Sequence, residues 1–369
     1  MKVLYFIHGL PIGGAETVTV NNLIQLKERG VDVALATYDD RPSFLRDRVK
    51  ESGIPFRSIL PYCGNDLFGK CKRFVLNKTV RVDKRWREIL ALERPDVVHY
   101  NDFGALPLRF PFPPEKSVLT IHSDVLRAAS LCTPDELERT RALSRAGLTW
   151  FALNGKAESD LRAAFGAERV VTVPNGVDLS YIRENAYGKA WLNERYGVPE
   201  DAFVLGHVGR FHPIKNHERV VSIFEKTLAI EPRAYLVLVG GDVDGRMERI
   251  AALAKERGLA DRVVFTGVRT DANLVAGCFD VFLLPSFSEA FPLSLIEAQA
   301  AGVRCVAADT IPEEVFCTPL AHRLSLGEPD EVWARTVVSK ERSEREDAIG
   351  AYDVGSVVGR MIAQYEKLV

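Results

Sequence analysis

"FVLGHVGR", residues 203–210, is the stretch that decides the fold, because a strand pattern that runs through the first half of the chain starts again there. Short apolar runs alternate with helical patterns, which is typical of a parallel sheet covered on both faces. The first series is 3–9, 31–38, 96–101, 118–123, 148–154 and 170–176, and the second is 203–210, 235–241, 262–268, 281–286 and 304–309. Two such series predict an α/β protein with two Rossmann-like, doubly wound parallel-sheet domains.

The join between the series lies near VPNGVD (173–178), where a proline and an Asn-Gly pair break the pattern. We therefore assign residues 1–174 and 175–352 to the two domains. The tail, 353–369, has an apolar helical face and is expected to complete the first domain. Ligands of open parallel sheets lie beyond the carboxyl ends of the strands, so two such domains predict a site in a cleft between them.

The composition is that of an ordinary globular protein, with 47% hydrophobic and 27% charged residues. A net charge of -2 argues against a surface built for nucleic acid. Six scattered cysteines form no C-x-x-C pair, so neither a zinc site nor a disulfide framework is indicated. No cleavage-type site follows the N-terminal run, and no uncharged run approaches the roughly 20 residues of a membrane-spanning helix. We expect a cytoplasmic protein that at most touches a membrane from outside.

The first strand ends in HGLPIGGAETV, with Gly9, Gly13 and Gly14 ahead of a helix. Glycines in this position let backbone N–H groups approach a phosphate, although a plain strand-to-helix turn has the same composition. The spacing is not G-x-G-x-x-G, which argues against a nicotinamide enzyme.

The loop GRFHPIKN (209–216) follows the first strand of the second series and carries Arg210 and Lys215. A guanidinium and a flexible ammonium suit two adjacent phosphates. Two solvated surface cations are the alternative. The position at a strand end favours phosphate binding.

TIHSD (120–124) places His122 at a strand end, where it is either a structural group or a residue that bonds a substrate hydroxyl or moves a proton. Its position favours function. GGDVDG (240–245) holds Asp242 and Asp244, but no third metal ligand is in view, so a solvated turn is favoured. No metal site is predicted.

The segment 69–90 mixes basic residues with aromatic and aliphatic ones, and its cations fall between residues 70 and 87. Such a segment can lie on an anionic membrane surface or form a solvated helix face, and the sequence leaves both open. Nucleic acid is a weaker choice because no binding motif accompanies the patch.

The stretch 288–303, SEAFPLSLIEAQAAGV, carries Glu289 and Glu297 eight positions apart. With the GGAE loop, TIHSD, VPNGVD, GRFHPIKN and VFTGVRTD (264–271), it resembles the retaining glycosyltransferases of family four, which have the GT-B architecture. The resemblance covers nearly the whole chain, and the two spaced glutamates are its most specific part. Residues 297–315, EAQAAGVRCVAADTIPEEV, resemble bacterial capsular and exopolysaccharide transferases.

The resemblance implies a role for each candidate residue in binding a nucleotide sugar. Glu289 would contact the sugar hydroxyls, with backbone N–H groups of Phe291 and Leu293 facing the sugar and diphosphate. Glu297 would accept hydrogen bonds from both ribose hydroxyls.

The remaining roles concern the diphosphate, the base and the transferred sugar. Arg210 and Lys215 would neutralise the diphosphate, and Gly14 would bring backbone close to it. Val268 would hold the base through its main chain, and His122 would meet the transferred sugar. The family commonly has glycines where Ala290 and Pro292 stand, so the sugar contacts of this chain differ from the usual pattern.

The implied activity is transfer of a hexose or N-acetylhexosamine from a nucleotide sugar, with UDP the expected nucleotide, to a lipid-linked or oligosaccharide acceptor in surface-polysaccharide assembly. No cofactor or metal is implied beyond the donor. The alternatives are a nucleotide-sugar epimerase, a phosphorylase on the same scaffold, or a non-catalytic sugar-nucleotide-binding protein. The basic segment adds an expected peripheral contact with the inner face of the plasma membrane.

Overall fold

The computed structural model describes residues 1–64, 81–101 and 106–369, and these residues form two compact units. One unit comprises Met1–Gly176 and Val354–Val369, and the other comprises Val177–Asp353. The polypeptide thus leaves the first unit after residue 176 and returns to it at residue 354.

The first unit is built on a seven-stranded sheet in the order β3-β2-β1-β4-β5-β6-β7, and its pairings are parallel. Its strands are β1 (Lys2–Ile7), β2 (Asp32–Asp39), β3 (Phe56–Leu60), β4 (Val97–Asn101), β5 (Ser117–Thr120), β6 (Thr149–Ala152) and β7 (Arg169–Thr172). Its described helices are α1 (Gly14–Glu28), α2 (Phe44–Glu51), α3 (Val82–Glu93), α4 (Leu106–Arg109), α5 (Val125–Ser130), α6 (Pro134–Arg145), α7 (Gly155–Phe165) and α15 (Val354–Tyr365).

Alternate residues of the central strand β1 enter two different cores. Leu4 and Phe6 belong to one buried cluster, and Val3 and Tyr5 belong to the other. Helix α15 joins the second cluster through Val354, Val357, Val358, Met361 and Tyr365. Both faces of the sheet are therefore covered, which explains why its strands read as continuous apolar runs.

The second unit is built on a six-stranded sheet in the order β10-β9-β8-β11-β12-β13, again with parallel pairings. Its strands are β8 (Phe203–Val208), β9 (Ala234–Val239), β10 (Val263–Gly267), β11 (Val281–Leu284), β12 (Arg304–Ala308) and β13 (Ala321–Leu324). Its helices are α8 (Leu179–Asn185), α9 (Lys189–Tyr196), α10 (His217–Leu228), α11 (Arg246–Glu256), α12 (Ala272–Val275), α13 (Leu293–Ala300) and α14 (Asp330–Val338).

The prediction of two doubly wound parallel sheets is confirmed. The sequence pattern misses two strands, β3 and β13, and both lie at an edge of their sheet. Their sequences, FRSIL and AHRL, are only partly buried. An edge strand has one paired neighbour and more contact with water, so polar residues interrupt the apolar run by which the other strands are found.

Of the helices in the described ranges, none combines the length and the apolar composition that crossing a membrane requires.

Gly206 in β8 offers a test of the packing under the sheet of the second unit. A Cβ at this position would overlap the ring of Phe279, which is itself buried. We expect Gly206→Ala to lower the free energy of unfolding by about 2 kcal/mol, since overpacking a core forces side chains and backbone to shift. Denaturant unfolding measures the change. Gly350→Ala is the matched control, because a Cβ there meets nothing within 4 Å; equal stabilities of the two variants would contradict the packing.

Candidate active site

The loops that follow β8 and β9 are joined by backbone hydrogen bonds. Gly209 N–H donates to Val239 O over 2.8 Å, and Phe211 N–H donates to Gly241 O over 2.8 Å. A Cβ at Gly240 would overlap the carbonyl of Gly209, so the close approach requires a glycine. This contact fixes the backbone on both sides of Arg210, whose side chain is exposed and has no hydrogen-bond or ion-pair partner among the described residues.

The loops that follow β8 and β11 are joined by an ion pair. Lys215 Nζ lies 2.6 Å from Glu289 Oε1, and the two side chains are only 18% and 11% exposed. Phe287 N–H also donates to Ile214 O over 2.8 Å, and the Asn216 side chain donates to Pro285 O over 3.1 Å. The structure therefore brings together two of the residues that the sequence singled out, one cation and one carboxylate.

Two buried histidines, which no sequence motif singles out, lie in the same region. Burial lowers the pKa of His207 to about 4 and that of His217 to about 2, and the charge of Lys215 contributes to both shifts. Both rings are therefore neutral near pH 7. His207 Nδ1 donates to Leu283 O over 2.8 Å, and the two rings meet edge to face with centroids 4.6 Å apart. Neutral rings bring no second positive charge close to Lys215.

One glutamate of the 288–303 stretch lies before helix α13 and the other lies inside it. Glu289 precedes the helix, Pro292 is its N-cap residue and Leu293 is its first residue. Glu297 lies inside the helix, where burial raises the pKa of its carboxyl group to about 7. No partner for the Glu297 carboxyl group is found among the described residues. Phe291 is buried and packs against Tyr352, with ring centroids 5.8 Å apart.

The residue predicted to hold a base lies beside the β9 loop. Val268 follows β10 and is 61% exposed, and its Cγ2 lies 2.8 Å from the position that a Cβ of Gly241 would take. Asp242, in the same glycine-rich loop, accepts hydrogen bonds from the backbone N–H groups of Gly245 and Met247 at 2.9 and 2.7 Å. Its two oxygens thus stabilise a turn at the start of α11.

Two candidate residues belong to the first unit. Gly14 is the first residue of α1. The N-cap residue is Gly13, which has no side chain that could cap the helix. His122 Nε2 lies 3.2 Å from Asn101 Oδ1, and burial lowers the pKa of His122 to about 4, an effect that the polar side chain of Asn175 partly offsets. His122 is therefore neutral near pH 7. It can exchange hydrogen bonds with a hydroxyl group without adding charge.

Comparison with known families accounts for the arrangement in both units. Residues 12–181 match the family model described as Glycosyltransferase Family 4, and residues 202–319 match the model described as Glycosyl transferases group 1. The chain belongs to glycosyltransferase family 4. The resemblance stated from the sequence motifs is thereby confirmed, whereas the roles of the individual residues stay predictions.

Relatives of this transferase include two bacterial glycosyltransferases. EpsF of Bacillus subtilis (strain 168), which is named as a glycosyltransferase, is 29% identical over 343 residues, or 91% of this chain and 86% of EpsF. The D-inositol 3-phosphate glycosyltransferase of Stackebrandtia nassauensis is 35% identical over 150 residues, which are 38% of this chain and 33% of that enzyme.

The fold of the transferase is also that of solved glycosyltransferase structures. HepE of Anabaena, solved in complex with UDP and glucose, aligns over 100% of both chains with a TM-score of 0.78 and 18% sequence identity. The transferase therefore has the GT-B fold, with one Rossmann-like sheet in each unit.

Glu297 makes the stability of the transferase depend on pH. Its pKa of about 7 in the folded protein lies above the ordinary 4.5. The contribution of this group to the free energy of unfolding is therefore fully present below pH 4.5 and is lost as pH rises through 7. Glu297→Gln removes the titration. We expect the variant to gain on the order of 2 kcal/mol over the wild type at pH 8 and little at pH 4.

Denaturant unfolding at the two pH values measures this difference. Glu256→Gln, a change at an exposed glutamate of α11 in the same unit, is the control and is expected to show none. A gain for Glu297→Gln that is equal at both pH values would contradict the burial of an ionisable carboxyl group.

Proposed function

We propose that this transferase moves a hexose or N-acetylhexosamine from a UDP-sugar to a lipid-linked or oligosaccharide acceptor, with retention of anomeric configuration, in the assembly of a surface polysaccharide. The ion pair between Lys215 and Glu289 carries the proposal, because an ammonium group, which suits a phosphate, lies 2.6 Å from a carboxylate, which suits sugar hydroxyls. The diphosphate and the sugar of one donor are adjacent groups and need two such side chains close together.

The choice of nucleotide and of reaction class is supported by the relatives. The solved HepE structure contains UDP and glucose, and the same protein has been solved with UDP-glucose. EpsF, which aligns over most of its length, is a glycosyltransferase by name. A UDP-linked hexose is therefore the first donor to test, and an N-acetylhexosamine the second.

Glu297 would bind the ribose of the donor. A carboxylate has two acceptor oxygens for the two ribose hydroxyls, and the carboxyl group of Glu297 has no protein partner among the described residues that would compete for them. With a pKa of about 7, this carboxyl group would become a better acceptor as pH rises through neutrality. Val268, which is 61% exposed, would hold the base through its main chain.

The start of α13 would face the sugar and the diphosphate. Leu293 is the first residue of that helix, so its N–H group has no acceptor within the helix and is free to bond a ligand oxygen. The N–H group of Phe291 would contribute from the preceding loop. The ring of Phe291 packs on Tyr352, which holds this part of the loop in place. Gly14 would approach the diphosphate, and His122 would bond a hydroxyl of the transferred sugar.

Transfer breaks the bond between the anomeric carbon and the diphosphate oxygen and forms a bond from that carbon to the acceptor oxygen on the same face. The acceptor hydroxyl gives its proton to the departing phosphate, which carries away the bonding electron pair. Arg210 and Lys215 would stabilise the negative charge that develops on this phosphate. These two cations would supply the stabilisation that a divalent metal would otherwise give, and the proposed transfer is metal-independent.

Arg210 tests the phosphate assignment without disturbing the fold, since its side chain is exposed. We expect Arg210→Ala to keep the melting temperature of the wild type and to lose about 100-fold in donor turnover, as each lost charge donor costs about 3 kcal/mol of transition-state stabilisation. The variant should also lose part of the thermal stabilisation that UDP-sugars give the wild type, because a bound donor stabilises only the folded state.

Lys226→Ala is the matched control for this experiment. Lys226 is a cation of the same unit that pairs with Glu331 over 2.9 Å on the surface, and its removal should leave turnover and donor stabilisation unchanged. Full activity of Arg210→Ala would refute the phosphate assignment. Release of nucleotide only when an acceptor is added distinguishes transfer from donor binding alone.

We also propose a peripheral location on the inner face of the plasma membrane, which the basic segment 70–87 supports. Its residues 70–80 lie outside the described residues. In the described part, Arg85 pairs with Glu88 over 3.1 Å and Arg87 with Asp83 over 2.9 Å along α3, so part of the charge is neutralised within the helix.

Electrostatic attachment is sensitive to salt, because ions screen exposed charges. We expect the transferase to recover with membranes at low ionic strength and to be released by a high-salt wash. Sedimentation of membranes from expressing cells measures the released fraction, with an integral membrane protein as the control. Membrane recovery that does not change with salt would contradict attachment through this segment.

A further inference from the structure

A small, partly open cavity lies in the first unit, next to His122. Its wall includes Asn22 of α1, Asn101 at the end of β4 and Asn175 after β7. The cavity has a volume of about 10 Å³, which is the space that one water molecule needs by the same measure. Polar side chains, three of them asparagines, share the wall with apolar ones, and dry cavities in proteins are apolar.

The tautomer of His122 follows from its neighbour Asn101. The side-chain nitrogen of Asn101 lies 3.2 Å from the carbonyl oxygen of His99, and a carbonyl oxygen only accepts hydrogen bonds, which fixes the orientation of the amide. The amide oxygen of Asn101 therefore faces His122, whose Nε2 lies 3.2 Å away and must donate. Since the ring is neutral, Nδ1 of His122 carries a lone pair.

Two acceptor atoms in the wall have no partner. Nδ1 of His122 and Oδ1 of Asn22 are both buried, and neither forms a hydrogen bond with any described residue. The Asn175 side chain is close enough to affect the pKa of His122, but its geometry gives no hydrogen bond to Nδ1. Leaving a polar atom buried and unsatisfied costs roughly 1 to 3 kcal/mol. Two acceptors facing one small space match a group that donates two hydrogen bonds and has almost no bulk.

The other polar side chains on this side of the cavity have partners already. His99 lies 2.7 Å from Thr120 through Nε2 and 2.6 Å from Tyr365 through Nδ1, and the hydroxyl of Tyr365 lies 2.8 Å from that of Tyr5. Whichever way the hydrogen bonds of His99, Tyr365 and Tyr5 run, they leave at most one hydrogen on this side, that of the Thr120 hydroxyl, and one hydrogen does not serve two separate acceptors. A metal cation would meet two uncharged ligands here and would lose its hydration without charge compensation.

We propose that one water molecule binds in this cavity, donates one hydrogen bond to His122 Nδ1 and one to Asn22 Oδ1, and thereby makes Asn22 a positioning residue for His122. The bridge ties the imidazole ring to helix α1 as well as to Asn101, so the ring is held at both nitrogens. Its catalytic consequence rests on the proposed function, in which a hydroxyl of the transferred sugar takes the hydrogen bond of His122 Nε2–H in place of the Asn101 amide, while the water still holds Nδ1. The presence of the water itself does not.

The proposal is tested by long-range ¹H–¹⁵N spectra of the full chain, with its seven histidines selectively labelled with ¹⁵N. Comparison with His122→Gln assigns the His122 signals. We expect the Nε2–H tautomer and an Nδ1 resonance of a hydrogen-bonded acceptor. Magnetisation transfer from water to the ring protons of His122 should reveal a long-lived bound molecule. Both properties are measured on the wild type, and a tautomer protonated at Nδ1, or no transfer from water, would overturn the proposal.

Asn22→Leu replaces the amide with an apolar group that has the same branching and number of heavy atoms but more bulk, so it removes the acceptor and should expel the water. We expect the His122 Nδ1 resonance to move to that of an acceptor without a partner, and kcat of sugar transfer to fall about 10-fold with the donor KM unchanged, since small misplacements of a reacting group are costly. An unchanged His122 spectrum in Asn22→Leu would overturn the bridge.

Asn21→Leu is the matched control one residue earlier on α1. Asn21 accepts a hydrogen bond from Arg48 over 3.1 Å and is not part of the cavity wall, so its loss should change neither the His122 spectrum nor kcat. If the wild type transfers no sugar, the proposed function fails, while the spectra still decide whether the water is bound.

Discussion

The strand pairings of both sheets are parallel, and this constraint determines most of the architecture of each unit. Parallel strands need crossover connections, which place helices on both faces and force the strands to be apolar on both sides. The carboxyl ends of the strands then lie along one edge of the sheet. Because of this, loops far apart in sequence, such as those after β8 and β11, can join Lys215 to Glu289 across 74 positions.

Burial shifts the pKa of several ionisable groups in the second unit, which also contains that ion pair. Lys215 has one carboxylate partner close by, and the buried His207 and His217, whose pKa values its charge helps to lower, are neutral near pH 7. Glu297, in contrast, has a desolvated carboxyl group without a partner among the described residues and is close to its titration point near pH 7, where its pKa lies. Perturbed groups of this kind concentrate where proteins bind ligands, because binding supplies the interaction that the free protein lacks.

The sequence predicted the fold because buried central strands and helix faces carry a strong apolar pattern, and it failed where that pattern is weak. β3 and β13 are edge strands with arginine among their apolar residues. The 288–303 stretch drew attention to Glu289 and Glu297, which lie before α13 and inside it, respectively. His207, His217 and Asn22 could not be singled out, since their burial and missing partners arise from residues distant in the chain. The pairing of Lys215 with Glu289 is likewise a tertiary contact that spacing cannot reveal.

The return of the chain to its first unit has a consequence for the order of folding during synthesis. Tyr365, near the end of α15, completes the hydrogen bonds of Tyr5 and His99 in the interior of that unit, and Val357, Val358 and Met361 fill its second core. Residues 177–353 are synthesised before these side chains exist. The second unit can therefore close while the first still exposes an apolar face, and the domain that begins first at the ribosome is the one that finishes last.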